Sequence, residues 1–230
     1  AWVQGKDGAE EWKGVPNGLP VTELSLPEYD NNHNSCIWGY MWGYDWNSAE
    51  KGDNISKPKT DADFTPLGLM NYSEVCFLKA EAALRGWQGA GDAKTNYENG
   101  IRASFEEMRA NAPKDSYSKS NDDKYISEGN VAWNNADSFE AKLEKIITQK
   151  WIGIYPNSEE AWAEFRRTGY PKLNPVKQSL EPTINPKNGE FIKKLRYVDN
   201  ELSNNKEYAT DPTLNGGQGD GLSVRVWWDT

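Results

Sequence analysis

Between Tyr72 and Met108 two runs of helical periodicity flank the turn "WQGAGD", and a six-residue connection makes the two helices fold back antiparallel. The first run is "MNYSEVCFLKAEAALRGW". Asn71 with Glu74 three residues on has the capping-box form, Val75, Leu78 and Ala82 recur at helical spacing, and Gly86 supplies the stop. The second run starts at Asp92 or Ala93 and lines up Tyr97, Ile101, Phe105 and Met108. The order Ala80, Ala93, Tyr97, Gly100 approximates the small–large–small pattern of a tetratricopeptide helix pair, with one extra turn residue.

After the polar linker "NAPKDSYSKSNDDKYISEGN", the pattern predicts a third helix from Asp137 or Ser138. It carries Phe139, Leu143, Ile146, Ile147, Trp151 and Ile154, and Pro156 ends it. A fourth, shorter helix starts at Asn157, with Glu160 at a second capping-box spacing, and closes at Gly169. Its apolar face is Ala161, Trp162 and Phe165, and Glu159, Glu160 and Glu164 are expected to point away. The rings follow the spacing of the other apolar residues, so Trp151, Trp162 and Phe165 are expected in the core. Arg166 and Arg167 stand in the last turn, where a cation favours the carbonyl end of a helix.

Residues 1–69 and 174–230 are rich in Gly, Pro, Asn and Asp and lack sustained helical periodicity. The predicted fold class is therefore mainly α. Tetratricopeptide-like antiparallel helix pairs occupy 70–173, with irregular, loop-rich segments at 1–69 and 174–230, a few short strands, and the C-terminal segment packing on the helices within one domain. Inside the first segment lies "CIWGYMWGYDWN". Trp38, Tyr40, Trp42, Tyr44 and Trp46 alternate there with Ile37, Gly39, Met41, Gly43 and Asp45, so an extended strand places five rings on one face. The chain is only 37% apolar yet holds 11 Trp and 11 Tyr, so much of its apolar mass is in amphipathic rings. Sugar rings stack on such flat surfaces, and neighbouring Asn and Asp bond their hydroxyls. A strand burying an aromatic face has the same pattern, with its glycines marking close backbone packing. The expectation is a divided stripe, some rings in the core and one or two exposed.

A formal charge of −9 and a pI near 4.8 exclude a nucleic-acid partner, because phosphate binding needs a basic stripe. The start "AWVQGKDGAEEWKG" lacks the basic and apolar regions of a signal peptide, and no apolar run reaches the roughly 18 residues of a membrane span. Cys36 and Cys76 have no zinc-site spacing, and Cys76 reads as a buried free thiol. No cofactor or metal is indicated, since "EYDNNHNS" and "NGGQGDGLS" depart from calcium-loop spacing and read as solvated loops. The single His33 stands in no nucleophile or zinc motif, so the chain is read as a binding protein, not an enzyme. Two alternatives stay open: a helical-repeat adaptor for a peptide or protein, and a glycoside hydrolase using paired carboxylates.

Three motifs in order carry a family resemblance: "YSEVCFLKAEAALRGW" of Tyr72 to Trp87, the run Gln149-Lys150-Trp151, and "EAWAEFRRTGYP" of Glu160 to Pro171. Together they resemble the C-terminal portion of the SusD/RagB outer-membrane nutrient-binding lipoproteins, over about residues 70 to 210. "LRYVDNELSNN" is similar to that family's arginine-tyrosine-proline segment, here Arg196, Tyr197, Glu201 and Asn205, with Val198 where proline is common. The tail Trp227-Trp228-Asp229 is similar to one branch. The resemblance implies a fragment of a longer protein, attached to the membrane only through a lipid anchor absent from this chain. It also implies a role on the extracellular side of the outer membrane of Bacteroidetes-type bacteria, capturing glycans or peptides for a SusC-like TonB-dependent transporter without cleaving them. Family binding sites draw on aromatics outside the helix pairs, which favours Trp38, Tyr40, Trp42, Tyr44 and Trp46 as the sugar-binding residues.

Overall fold

The computed structural model describes residues 68–111, 119–176, 179–226 and 228–229, together with four two-residue strands, β1 (Val3–Gln4), β2 (Glu10–Glu11), β3 (Tyr44–Asp45) and β4 (Lys57–Pro58). The strands pair antiparallel, Val3 opposite Glu11 and Tyr44 opposite Pro58. The chain divides into two compact units, Cys36–Pro171 and Ala1–Ser35 with Lys172–Thr230.

The first unit holds α1 (Tyr72–Leu84), α2 (Ala93–Asn111), α3 (Asp122–Ser127), α4 (Phe139–Gly153) and α5 (Ser158–Thr168). Helix α1 packs along α2 and α4, and α5 packs on α4. The α1–α2 pair is antiparallel, as the short turn requires. At the end opposite that turn, the Ser73 backbone N–H and hydroxyl both donate to the Glu107 carboxylate, at 3.1 and 2.7 Å. Glu107 thereby does the work expected of Asn71, whose side chain forms no cap. The caps of α4 and α5 do form, with Ser138 Oγ accepting from Ala141 N at 3.2 Å and Asn157 Oδ1 from Glu160 N at 3.3 Å. Gly169 closes α5 in the left-handed region that favours glycine. The segment read as a polar linker contains α3, held by one buried residue, Ile126.

Phe77, Ala80, Tyr97, Ile101, Ile126 and Ile146 form the main core, with Phe105, Val131 and Trp133 packed around it, and Leu143, Ile147 and Tyr170 form a second cluster. Phe77 is only 1% exposed, and both facing helices drop to glycine against it. A Cβ at Gly100 would meet its ring at 2.7 Å, and one at Gly153 at 3.2 Å. The buried face of α1 is therefore Ser73, Phe77 and Ala80, flanked by Glu74, Cys76 and Glu81. It is not the expected Val75–Leu78–Ala82 stripe, in which Val75 and Ala82 are half-buried and Leu78 is 38% exposed. Met108 on α2 is likewise exposed, whereas Cys76 is buried as a free thiol.

The second unit is irregular in its C-terminal part, with short helical pieces α6 (Asp199–Asn204), α7 (Lys206–Ala209) and α8 (Leu214–Gly217). Its organising group is Asp220, which accepts from Lys194 Nζ and from the Tyr197 backbone N–H at 3.0 Å. The loop "NGGQGDGLS" thus contributes Asp220 to a largely buried ion pair instead of standing wholly in solvent. Asn205 Nδ2 donates to Glu201 Oε1 at 2.8 Å, and buried Asp229 lies 3.3 Å from Lys193 Nζ.

Candidate functional site

Of the expected sugar-binding residues, Trp38, Tyr40, Trp42 and Trp46 lie outside the described residues; Tyr44 lies in β3, where its backbone pairs with Pro58. His33, Cys36 and "EYDNNHNS" also lie outside them. Among the described residues no group of three or more His, Cys, Asp or Glu side chains is placed to hold a metal ion, and no helix is long and apolar enough to cross a membrane.

The dominant polar feature of the helical unit is a buried ionic hub on α1, α4 and α5. Lys150, 1% exposed, donates to Glu160 at 2.8 Å and Glu164 at 2.9 Å, and stands 3.8 Å from Glu74. Arg167 makes a fork-to-fork pair with Glu81, both contacts at 2.7 Å, and also binds the second oxygen of Glu164 at 2.5 Å. Arg85, the residue that caps the C-terminal end of α1, joins Glu81 at 2.9 Å. Glu160 and Glu164 therefore turn inward, one helical turn apart, and do not point away as the apolar pattern of α5 suggests. Arg167 is likewise an interhelical clamp beyond its place near the α5 carbonyl end. Arg166 lies over the Trp162 ring, its guanidinium carbon 3.8 Å from the centroid. Trp162 and Trp151 are half-buried, and only Phe165 of the three expected core rings is fully packed away. Lys150, Glu74 and Glu81 carry no sequence signal as a site, since each sits in an apolar helical run and its partners come from other helices.

The hub's protonation follows from its packing. Burial alone would lower the Lys150 pKa, but hydrogen bonds and charge from Glu160 and Glu164 outweigh it and raise it. Burial would raise Glu81, but Arg167 and Arg85 hold it below the ordinary carboxylate range. Glu74 is raised, first by burial and then by Glu160 and Glu164, with Lys150 opposing. Glu81 thus contributes stability above its unfolded pKa that is lost as pH falls through its depressed value. Glu74 has the opposite sign, because its charged form is disfavoured in the fold and proton uptake stabilises it. Glu74→Gln should therefore raise the melting temperature at pH 7, and the gain should vanish near about pH 4, the ordinary carboxyl range. Melts at both pH values check this, and a loss at pH 7 overturns it.

Both oxygens of Glu164 are occupied, one by Lys150 and one by Arg167, and the residue is 6% exposed. The hub ties three helices together, α1 through Glu74 and Glu81, α4 through Lys150 and α5 through Glu160, Glu164 and Arg167.

The family model described as SusD-like, "Susd and RagB outer membrane lipoprotein", matches residues 25–229. Among solved structures, a chitin-binding SusD homolog from Flavobacterium johnsoniae is 33% identical, with TM-score 0.59 over 80% of this chain and 41% of its own. A SusD homolog from Bacteroides thetaiotaomicron is 32% identical, with TM-score 0.58 over 76% of this chain and 39% of its own. One from Bacteroides ovatus is 35% identical, with TM-score 0.55 over 69% and 36%. The chain spans well under half the length of these structures. No curated protein matches it.

Proposed function

Because the chain belongs to the SusD-like family of SusD and RagB outer membrane lipoproteins, we propose that it binds oligosaccharides at the extracellular face of the outer membrane and passes them, uncleaved, to a SusC-like TonB-dependent transporter. The observation that carries this reading is the match over 80% of the chain to a homolog described as chitin-binding. The stacking platforms are Trp38, Tyr40, Trp42, Tyr44 and Trp46, five rings alternating with Ile37, Gly39, Met41, Gly43 and Asp45 in a segment outside the helix pairs.

The test is calorimetric titration of the full-length protein with chitohexaose, maltohexaose and xylohexaose, alongside single Ala variants of the five rings. Removing an exposed platform ring should weaken binding about 5- to 30-fold with no change in melting. If every variant that loses affinity also unfolds, the stripe is core. A sugar returned shortened, with a single Glu or Asp substitution abolishing the cleavage, replaces this reading by a hydrolase. Failure to bind any of the three sugars, with capture of a peptide instead, replaces it by the adaptor.

A further inference from the structure

One end of the helical unit exposes two aromatic rings. The α1–α2 turn presents the Trp87 indole 68% exposed, on a backbone fixed by its own N–H donating to Ala82 O at 3.0 Å and by Gly86 N–H donating to Ala83 O at 3.0 Å. Beside it in sequence, Arg85 lies over the Phe139 ring at 5.5 Å, which brings the first residue of α4 to the same end. Phe139 is also exposed, at 41%.

The loop 128–138 leads into that residue and is unusually well tied for a surface loop. Tyr97 Oη donates to Val131 O at 2.7 Å, Lys145 Nζ to Ala132 O at 2.6 Å, and Lys142 Nζ to Asn135 O at 2.8 Å. At its tip, Trp133 Nε1–H donates to Asn135 Oδ1 at 3.0 Å and the Ala136 N–H to Asn134 Oδ1 at 2.9 Å. Both partners are N–H donors, so each Asn must turn its oxygen inward. The consequence is two amide NH₂ groups, on exposed Asn134 and Asn135, directed away from their internal bonds on a loop with little freedom left to lose.

We infer that this end, comprising Trp87, Phe139, Asn134 and Asn135, is a second sugar-contacting surface for an uncharged oligosaccharide, with the rings as stacking faces and the amides donating to hydroxyl or acetamido oxygens. The inference rests on the glycan reading above but uses residues separate from the 37–46 stripe. Rigid aromatic and amide groups bind at small entropic cost, and the local cations are already engaged, Lys145 with Asp137 at 2.7 Å and Arg85 with Glu81 at 2.8 Å.

The experiment uses the full-length protein and the same three hexaoses. One variant removes the rings, Trp87→Ala with Phe139→Ala. The other, Asn134→Asp with Asn135→Asp, keeps the inward-facing oxygens, deletes the donors and adds two negative charges, whose own effect is separated by repeating the titration at raised salt. Each should weaken binding about tenfold with the melting temperature kept. Unchanged affinity in either pair overturns the surface, and if Trp42→Ala still weakens binding, the glycan reading stands without it. No hexaose bound by the parent protein removes both together. The aspartate pair keeps the test decisive even if the ring variant unfolds.

Discussion

Replacing Lys150 by Met should destabilise the protein by about 3–5 kcal/mol, the usual result of removing one partner from a buried ion pair. Methionine retains the alkyl volume, so the loss is electrostatic. Glu74, Glu160 and Glu164 then lose the one ammonium they share, and the first and last of these are buried. A fall in melting temperature of roughly 10 °C is expected. Adding Glu164→Gln should recover part of it, because the amide still accepts from Arg167 while the three clustered carboxylates are reduced to two. An unchanged melting temperature in Lys150→Met overturns the hub as the organiser of α1, α4 and α5.

Phe77→Ala should cost a similar amount, about 3–5 kcal/mol, toward the upper end of the range. The ring fills a space against Gly100 on α2 and Gly153 on α4, and glycines have no side chain that can relax into the hole. The opposite substitution tests the same contact from the other side. Gly100→Ala gains about 1 kcal/mol of helix propensity, but its Cβ would lie 2.7 Å from the Phe77 ring. Overpacking of about 1–3 kcal/mol should win. A stabilised Gly100→Ala variant, measured by denaturant midpoint, overturns the packing account.

The four longer helices, α1, α2, α4 and α5, were legible because turn length, capping residues and glycine stops act locally, whereas the short α3 and α6–α8 carry too little periodicity to be read. Ser138, Asn157 and Gly169 stand where their chemistry predicts. The buried face of α1 was not, for a reason visible in its composition. Apolar residues occupy Val75, Cys76, Phe77, Leu78, Ala80, Ala82, Ala83 and Leu84, so several faces fit a helical period and only the neighbours choose among them. The hub was hidden by another route. Glu160 and Glu164 on a short helix look solvated until Lys150 arrives from α4, and Lys150 looks like an intruder among Ile146, Ile147 and Ile154 until α5 arrives. Burial of charge is a property of the assembled set. The aromatic stripe at 37–46 belongs to a different case, since its alternation is plain but, apart from the Tyr44–Asp45 backbone, the stripe lies outside the described residues.

The Arg167–Glu81 clamp also has a kinetic meaning, because its partners are 86 positions apart along the chain. The bond from Ser73 to Glu107 that closes the α1–α2 pair spans only 34. Loop-closure entropy rises with the length closed, so the local hairpin of helices forms early and α5 docks late. Interactions absent at the folding barrier act on escape from the native state and leave its formation rate largely unaltered. The grip of α5 on α1 thus adds its stability by slowing escape from the native state, so it also sets how long the helical unit stays closed once folded.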